Sequence, residues 1–204
     1  MNFSAILLAA GKGTRYKGKK QDALFHGVPL WKYTYNTICK VINKNRIVVV
    51  GKDIAGGNSR TGSVFNGLKA IPSDTDRVII LEAARPMVTD TQLLQLLNDN
   101  HPSISFVRPL VNTVIFRNGN YINRNDLFEL LTPQAFDYKL LFKAYSSGLF
   151  TDMTDDTIIM SKFFNIKPFF IETGNNLYKV TYPGDLDIIE SIYKQLNERK
   201  GVES

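Results

Sequence analysis

Cysteine and histidine are nearly missing from this chain. Its 204 residues hold one cysteine, Cys39, and two histidines, His26 and His101. A lone cysteine excludes an internal disulfide, and two distant histidines match no zinc-site spacing. Cys39 falls in the helix-like run Trp31 to Val41, where it reads as a small buried hydrophobe. Long apolar runs are also lacking. Stretches such as Arg77-Val-Ile-Ile-Leu81 fall far short of the roughly twenty residues that cross a bilayer. The N-terminus opens as a strand, with neither a basic leader nor a small-residue cleavage site, so a cytoplasmic protein without a membrane partner is expected. No repeat, low-complexity segment or linker interrupts the chain, and residues 1–204 are expected to form a single domain.

The net charge is +6, from 25 Lys and Arg against 19 Asp and Glu. These cations are spread along the chain rather than gathered in one tract. No zinc finger, helix-turn-helix or RNA-recognition signature accompanies them, so no nucleic-acid partner is expected. A small polyanionic substrate accounts equally well for the balance.

The richest stretch is Ser4 to Gln21. Phe3 to Leu8 is a short unbroken apolar run, the pattern of a buried strand. It leads into Ala9, Ala10, Gly11 and Gly13, then into Lys12, Arg15, Lys17, Lys19 and Lys20. Small residues leave backbone N–H groups open, and glycine permits the positive-φ turns that aim them inward. That is a seat for a polyphosphate. The spacing is neither the P-loop pattern nor the full dinucleotide fingerprint, because Gly11-x-Gly13 lacks a third glycine. Taken alone, the stretch fits an ordinary strand-to-helix connection with a solvated basic tail just as well.

Further on, Pro29 opens a helix to about Val41, Arg46 to Val50 is a second buried strand, and Thr61 caps a helix through Ile71. Arg77 to Ala84 is a third strand, carrying an acid, Glu82, where the apolar residues should stop. Asp90 or Thr91 opens a helix over Gln92 to Asn98. This alternation predicts an α/β fold: a Rossmann-like, mostly parallel sheet with helices on both faces. Ser103 to Phe116, broken at Pro109, pairs through the turn Arg117-Asn-Gly-Asn120 with Tyr121 to Arg124, giving a projecting β-hairpin arm over about residues 107–124. Thr132 to Phe136 ends a strand and turns into a helix over Tyr138 to Tyr145. Thr154-Asp-Asp156 caps another helix. Pro168 to Glu172 and Tyr178 to Tyr182 are the last strands, and Pro183-Gly-Asp185 starts a closing helix with Leu186, Ile189, Ile192, Tyr193 and Leu196 on its apolar side.

In this order the segments resemble the cytidylyltransferases that act on 2-C-methyl-D-erythritol 4-phosphate or ribitol 5-phosphate. The matches are Ala9-Ala-Gly-Lys-Gly-Thr-Arg15 with Lys20-Gln21, Gly56-Gly-Asn-Ser-Arg-Thr-Gly-Ser63-Val-x-x-Gly67-Leu, Ala83-Ala-Arg-Pro86, Arg124 with Thr132-Pro-Gln-Ala-Phe136, Thr154-Asp-Asp156, and Lys179-Val-Thr-x-Pro-x-Asp-Leu186. The first piece is shared by many sugar-nucleotide pyrophosphorylases; the ordered set spans nearly the whole chain.

The resemblance implies a nucleotidyltransferase that uses CTP and Mg²⁺. A phosphate oxygen of the acceptor attacks the α-phosphorus of CTP and pyrophosphate leaves, with positioning and charge stabilisation doing most of the catalysis. It implies that backbone groups at Ala9, Ala10, Gly11 and Gly13 hold the triphosphate, that Arg15, Lys20 and Lys179 are catalytic cations, and that Ser63 helps read cytosine. It further implies that Glu82, Thr113, Arg124, Thr154 and Lys179 bind the acceptor, with Glu82 also meeting the metal. Thr113 corresponds to a position supplied by a neighbouring subunit, so a homodimer through the arm is implied. Alone, Arg124 reads as a hairpin surface charge, Thr154 as a helix cap and Lys179 as a strand-edge lysine. Thr132 reads as shaping its turn, Glu172 as a solvated strand residue and Asp185 as a helix-start acid.

Departures from the family pattern bear on the acceptor. His-Asp usually precedes Ala-Ala-Arg-Pro, and here Leu81-Glu82 stands there, one methylene longer and reaching about 1.5 Å further. Asn112 replaces an aspartate in the arm, the stretch from Thr113 to Arg124 is shorter, and Arg15 lies closer to Lys20 than usual. A methylerythritol phosphate acceptor implies isoprenoid precursor synthesis, and a ribitol phosphate acceptor implies wall or capsule polymers. The alternatives are another polyol phosphate or a phosphonate as acceptor, a non-catalytic nucleotide-binding module, and a basic surface for nucleic acid, which predicts strongly salt-dependent binding.

Overall fold

The computed structural model describes residues 1–202 of the chain, and the side chains of residues 1–198; residues 203–204 of the expected domain lie outside the described residues. Its first strand, β1 (Phe3–Leu8), is buried along its middle, where Ser4 is paired with Thr75 at 2.7 Å, and lies between two parallel neighbours, as a mostly apolar run without polar alternation requires. A small hairpin, β2 (Leu24–Phe25) with β3 (Val28–Pro29), leads into α1 (Leu30–Ile38). Then follow β4 (Ile47–Val50), α2 (Arg60–Ala70), β5 (Arg77–Glu82), α3 (Asp90–Leu97) and β6 (Ser103–Pro109). The arm carries β7 (Val114–Ile115) and β8 (Tyr121–Ile122), and the chain returns as β9 (Phe128–Asp137). It closes with α4 (Tyr138–Ser146), α5 (Asp156–Phe164), β10 (Phe169–Glu172) and α6 (Asp185–Val202).

The six-stranded sheet has the order β10-β6-β9-β5-β1-β4, and β9 alone runs antiparallel to its neighbours. The expected α/β architecture is therefore present, with helices on both faces. Ile38 of α1 and Leu93, Leu96 and Leu97 of α3 pack on one face with Leu7, Val49 and Ile79. Val64 and Leu68 of α2, Leu141 of α4 and Ile159 of α5 pack on the other with Ile6, Val78 and Ile80. Leu8 of β1 sits in register with both Val50 and Glu82, so β4, β1 and β5 end together at one edge of the sheet. In open α/β sheets that edge is where ligands bind.

Several boundaries differ from the sequence expectation. Ser59, not Thr61, caps α2, its hydroxyl accepting from Gly62 N at 3.0 Å, because Thr61 is engaged with Met153. Thr89 caps α3 in a reciprocal capping box with Gln92. Asp155, not Thr154, caps α5. The arm's turn falls at Arg117–Asn120 as expected, closed by Phe116 N donating to the Asn120 carbonyl at 2.8 Å, but its returning strand stops at Ile122 and Arg124 enters a 3₁₀ turn.

Tyr178 to Tyr182 is not a strand. The backbone there crosses the end of β5, tied by Val180 N to the Ala84 carbonyl at 2.8 Å. The Asp185 carboxylate accepts from the N–H groups of Thr181 and Tyr182 at 2.6 and 2.9 Å. Those donors would otherwise need a ladder partner. The closing helix has the expected face, with Leu186, Ile189, Ile192, Tyr193 and Leu196 packed against Phe25, Leu30 and Val180.

Candidate active site

At the shared end of β1 and β5 lies a cleft of about 370 Å³. Its walls are two glycine-bearing loops, Ala9–Lys12 and Gly57–Arg60, and its floor holds Glu82, Lys20 and Lys179. Gly13 adopts φ +63°, and a Cβ there would lie 1.8 Å from the Gly18 carbonyl oxygen, so the turn requires glycine. The second loop presses on the first. A Cβ on Gly56 would lie 2.4 Å from that of Ala10. Ser63 fixes this second loop: its hydroxyl donates to the Ser59 carbonyl and accepts from Gly57 N, each at 3.0 Å. One lone pair of that oxygen is left for a ligand.

Charge on the floor is concentrated on few groups. The Lys179 ammonium contacts Glu82 Oε2 directly, and Arg60 Nε faces Glu82 Oε1 at 3.6 Å. Burial pushes the Glu82 carboxyl up, but Lys179, Arg60 and Arg85 together outweigh it and hold the group down at about 2. Lys20 donates to the Val180 carbonyl at 3.0 Å. Burial, with Lys179 and Arg15 nearby, lowers the Lys20 ammonium below its ordinary range, against the opposing pull of Glu82. A site crowded with cations around one carboxylate is poised for a ligand carrying several negative charges.

Two arginines complete the site. Arg60 is the first residue of α2, at the positive end of the helix dipole, with no acid in that first turn. Its guanidinium forks onto Asp156, fully buried, through Nη1 and Nη2 at 3.0 and 2.6 Å, and Asp156 also accepts from the Tyr145 hydroxyl. Burial works against the Arg60 charge, yet Asp156 and Glu82 hold it protonated far above its usual range. Arg85, also buried, donates through Nε to Thr132 Oγ1 at 3.0 Å and through Nη1 to the Leu177 carbonyl, tying β9 to the segment that carries Lys179. Thr132, expected to shape a turn, instead lies buried within β9, where its hydroxyl holds Arg85. Sequence reasoning quoted both arginines inside motifs and gave them no role. The available signal was a cation at the start of a helix, where a carboxylate is the usual choice.

The structure brings Ala9, Ala10, Gly11, Lys20, Ser63, Glu82 and Lys179 together around the cleft. Arg15 stands on an exposed 3₁₀ turn beside it, close enough for its charge to act on Lys20. Thr113 and Arg124 lie on the exposed arm, where the Arg124 guanidinium donates to the Val111 carbonyl, and Thr154 is exposed just ahead of the α5 cap. These three are not among the cleft's lining residues.

Among the described residues no three His, Cys, Asp or Glu side chains cluster to hold a metal. Glu82 is the one carboxylate among the described residues lining the cleft. A magnesium ion bound with a nucleotide takes one or two carboxylates and otherwise phosphate oxygens and water, and this donor set fits that use.

A glycine-walled cleft at the carboxyl edge of a mostly parallel sheet, floored with cations, defines a nucleotidyltransferase of the α/β class. The family described as 2-C-methyl-D-erythritol 4-phosphate cytidylyltransferase (IspD) matches residues 3–195, and the chain belongs to it. Among curated relatives, the 2-C-methyl-D-erythritol 4-phosphate cytidylyltransferase of Clostridium botulinum (strain Okra / Type B1) is 30% identical, the match covering 95% of this chain and 98% of that one. The enzyme of the same description from Aquifex aeolicus is 27% identical over 93% and 97%. Of solved structures, the bifunctional IspDF of Campylobacter jejuni superposes with a TM-score of 0.80 at 28% identity; the match covers 92% of this chain but 54% of that longer one. The Thermus thermophilus enzyme, at 21% identity over 95% and 100% with a TM-score of 0.76, supports the fold.

Proposed function

We propose that this cytidylyltransferase joins CTP to 2-C-methyl-D-erythritol 4-phosphate, releasing pyrophosphate and leaving the cytidylyl group on the acceptor phosphate, a step in isoprenoid precursor synthesis. The observation that carries the reading is the meeting of Lys20, Lys179 and Glu82 on the floor of a cleft walled by two glycine loops. An acceptor phosphate oxygen attacks the α-phosphorus as the bond to the β-phosphate oxygen breaks, and pyrophosphate carries away the electron pair.

The Ala9 N–H, expected to hold the triphosphate, is instead spent on the Val50 carbonyl at 2.8 Å, so in this reading the open N–H groups of residues 10–13 hold the triphosphate. Lys20, with Arg15 closing from its exposed turn, takes up charge that grows on the leaving pyrophosphate. Lys179 exchanges its contact with Glu82 for phosphate and holds the two reacting phosphates together against their repulsion. Ser63, with one lone pair free, reads the base. Glu82, together with the triphosphate oxygens, would hold Mg²⁺, which would supply further neutralisation. Thr154 and the arm residues Thr113 and Arg124 serve the acceptor phosphate, an Arg fork gripping it bidentately. The exposed position of the arm supports a homodimer in which the arm reaches a neighbouring copy's cleft.

The test is pyrophosphate release with CTP and Mg²⁺ over a panel of methylerythritol phosphate, ribitol phosphate, other polyol phosphates and phosphonates. Release with methylerythritol phosphate, and none with UTP or ATP, is expected. The extra methylene of Glu82 favours a second reading, a different polyol phosphate, which release with another member of the panel would establish. Calorimetric CTP binding with silence across the panel would leave a nucleotide-binding module instead.

A further inference from the structure

Arg60 bridges the floor of the cleft and the turn that carries Thr154. The start of α2 is latched to residues 151–156 at three successive positions. Ser59 donates to the Thr151 carbonyl at 2.8 Å, Arg60 forks onto Asp156, and the Thr61 hydroxyl accepts from Met153 N at 2.8 Å. A cation at a helix N-terminus is disfavoured by the dipole, and burying the Arg60–Asp156 pair costs desolvation that an apolar pair would avoid. Packing alone therefore gives no reason for Arg60.

One donor is left over. With both terminal nitrogens committed to Asp156, the guanidinium plane is set, and Nε is buried with no hydrogen-bond partner. It faces Glu82 Oε1 at 3.6 Å, so a shift of well under 1 Å by the carboxylate would complete the bond. Glu82 presently relies on Lys179 for its contact at Oε2.

We infer that Arg60 is a positioning residue: clamped by Asp156, it holds the Glu82 carboxylate in place through Nε when Lys179 turns from Glu82 to the phosphates. This rests on the cytidylyltransferase reading of the cleft. It gives the orphaned donor a partner during turnover, keeps a half-buried carboxylate paired as its first partner leaves, and fixes Glu82 relative to the Thr154 turn.

The experiment is a double-mutant cycle on steady-state kinetics, with Arg60→Met and Glu82→Gln singly and together, Arg60→Lys as the conservative variant, and thermal melting alongside. Arg60→Met is expected to reduce kcat/KM for the acceptor about 10- to 100-fold, the range of a charged hydrogen bond, while changing the KM for CTP by less than about threefold. In the Glu82→Gln background the same substitution should cost less than about threefold. Arg60→Lys, which keeps the charge, should recover part of the loss. If Arg60→Met does not fold, Asp156→Asn, which loosens the clamp and keeps its shape, should give the same acceptor-side loss and the same dependence on Glu82. An Arg60 effect of equal size in both backgrounds, or one falling equally on CTP and acceptor, overturns the inference while leaving the reaction intact. A wild-type protein inactive with every acceptor overturns the cytidylyltransferase reading, and this inference with it.

Discussion

Lys20 and Val180, 160 residues apart in sequence, are joined by a 3.0 Å hydrogen bond from the ammonium to the carbonyl. The bond ties the basic loop of the N-terminus to the segment bearing Lys179, so the two cations proposed to meet the phosphates are held by one contact.

Lys20→Ala should therefore act twice, removing a charge and releasing the Lys179 segment. The expected loss in kcat is about 10²- to 10³-fold or more, and Arg15→Ala should fall in the same direction. Pyrophosphate release measures both. Intact turnover in Arg15→Ala would remove that residue from the leaving-group role.

Glu82→Gln should destabilise the folded chain. The native carboxyl stands at about 2 against an ordinary 4.5, a difference of about 3 kcal/mol. Because the folded value is depressed, the contribution is complete above about pH 4.5 and is lost as the pH falls towards 2. Urea unfolding at stepped pH should show wild type and variant far apart at pH 7 and converging near the acid end.

Gly56→Ala should disturb the cleft rather than the core. The new methyl would meet the Ala10 methyl at 2.4 Å, so the two glycine-bearing loops must part, at about 1–3 kcal/mol. Weaker CTP binding by calorimetry, larger than the drop in melting temperature would suggest, is the expected signature.

Arg124→Ala should leave CTP affinity unchanged and raise the acceptor KM by about tenfold or more, the loss of a charge-assisted contact to phosphate. If the arm works across two copies, mixing Arg124→Ala with a cleft-dead Lys20→Ala protein should restore part of the activity through mixed dimers.

The fold was legible because its signals are local. The short, mostly aliphatic runs at Phe3–Leu8 and Arg77–Leu81, stopped by glycine or an acid, have the pattern of strands covered on both faces, and the alternation with helices follows. Tyr178–Tyr182 misled for the opposite reason: its apolar and β-branched residues have strand character, but Asp185 takes the backbone donors that would make a ladder. The glycines and Lys20 could be found from sequence since backbone access and charge at a strand end are visible there. The roles of Arg60 and Arg85 were hidden because their partners, Asp156, Thr132 and Leu177, lie between 47 and 96 residues away. Nothing in a local window links them.

The single reversed strand, β9, separates the sheet into two groups of parallel strands: β5, β1 and β4 on one side, β6 and β10 on the other. The glycine loops spring from the first group, whereas the arm joins β6 to β9 at the second. Length and sequence in the arm can thus drift without disturbing the seat of the nucleotide. Under the role proposed for the arm, such drift would bear on the acceptor and leave the loops that seat the nucleotide as they are.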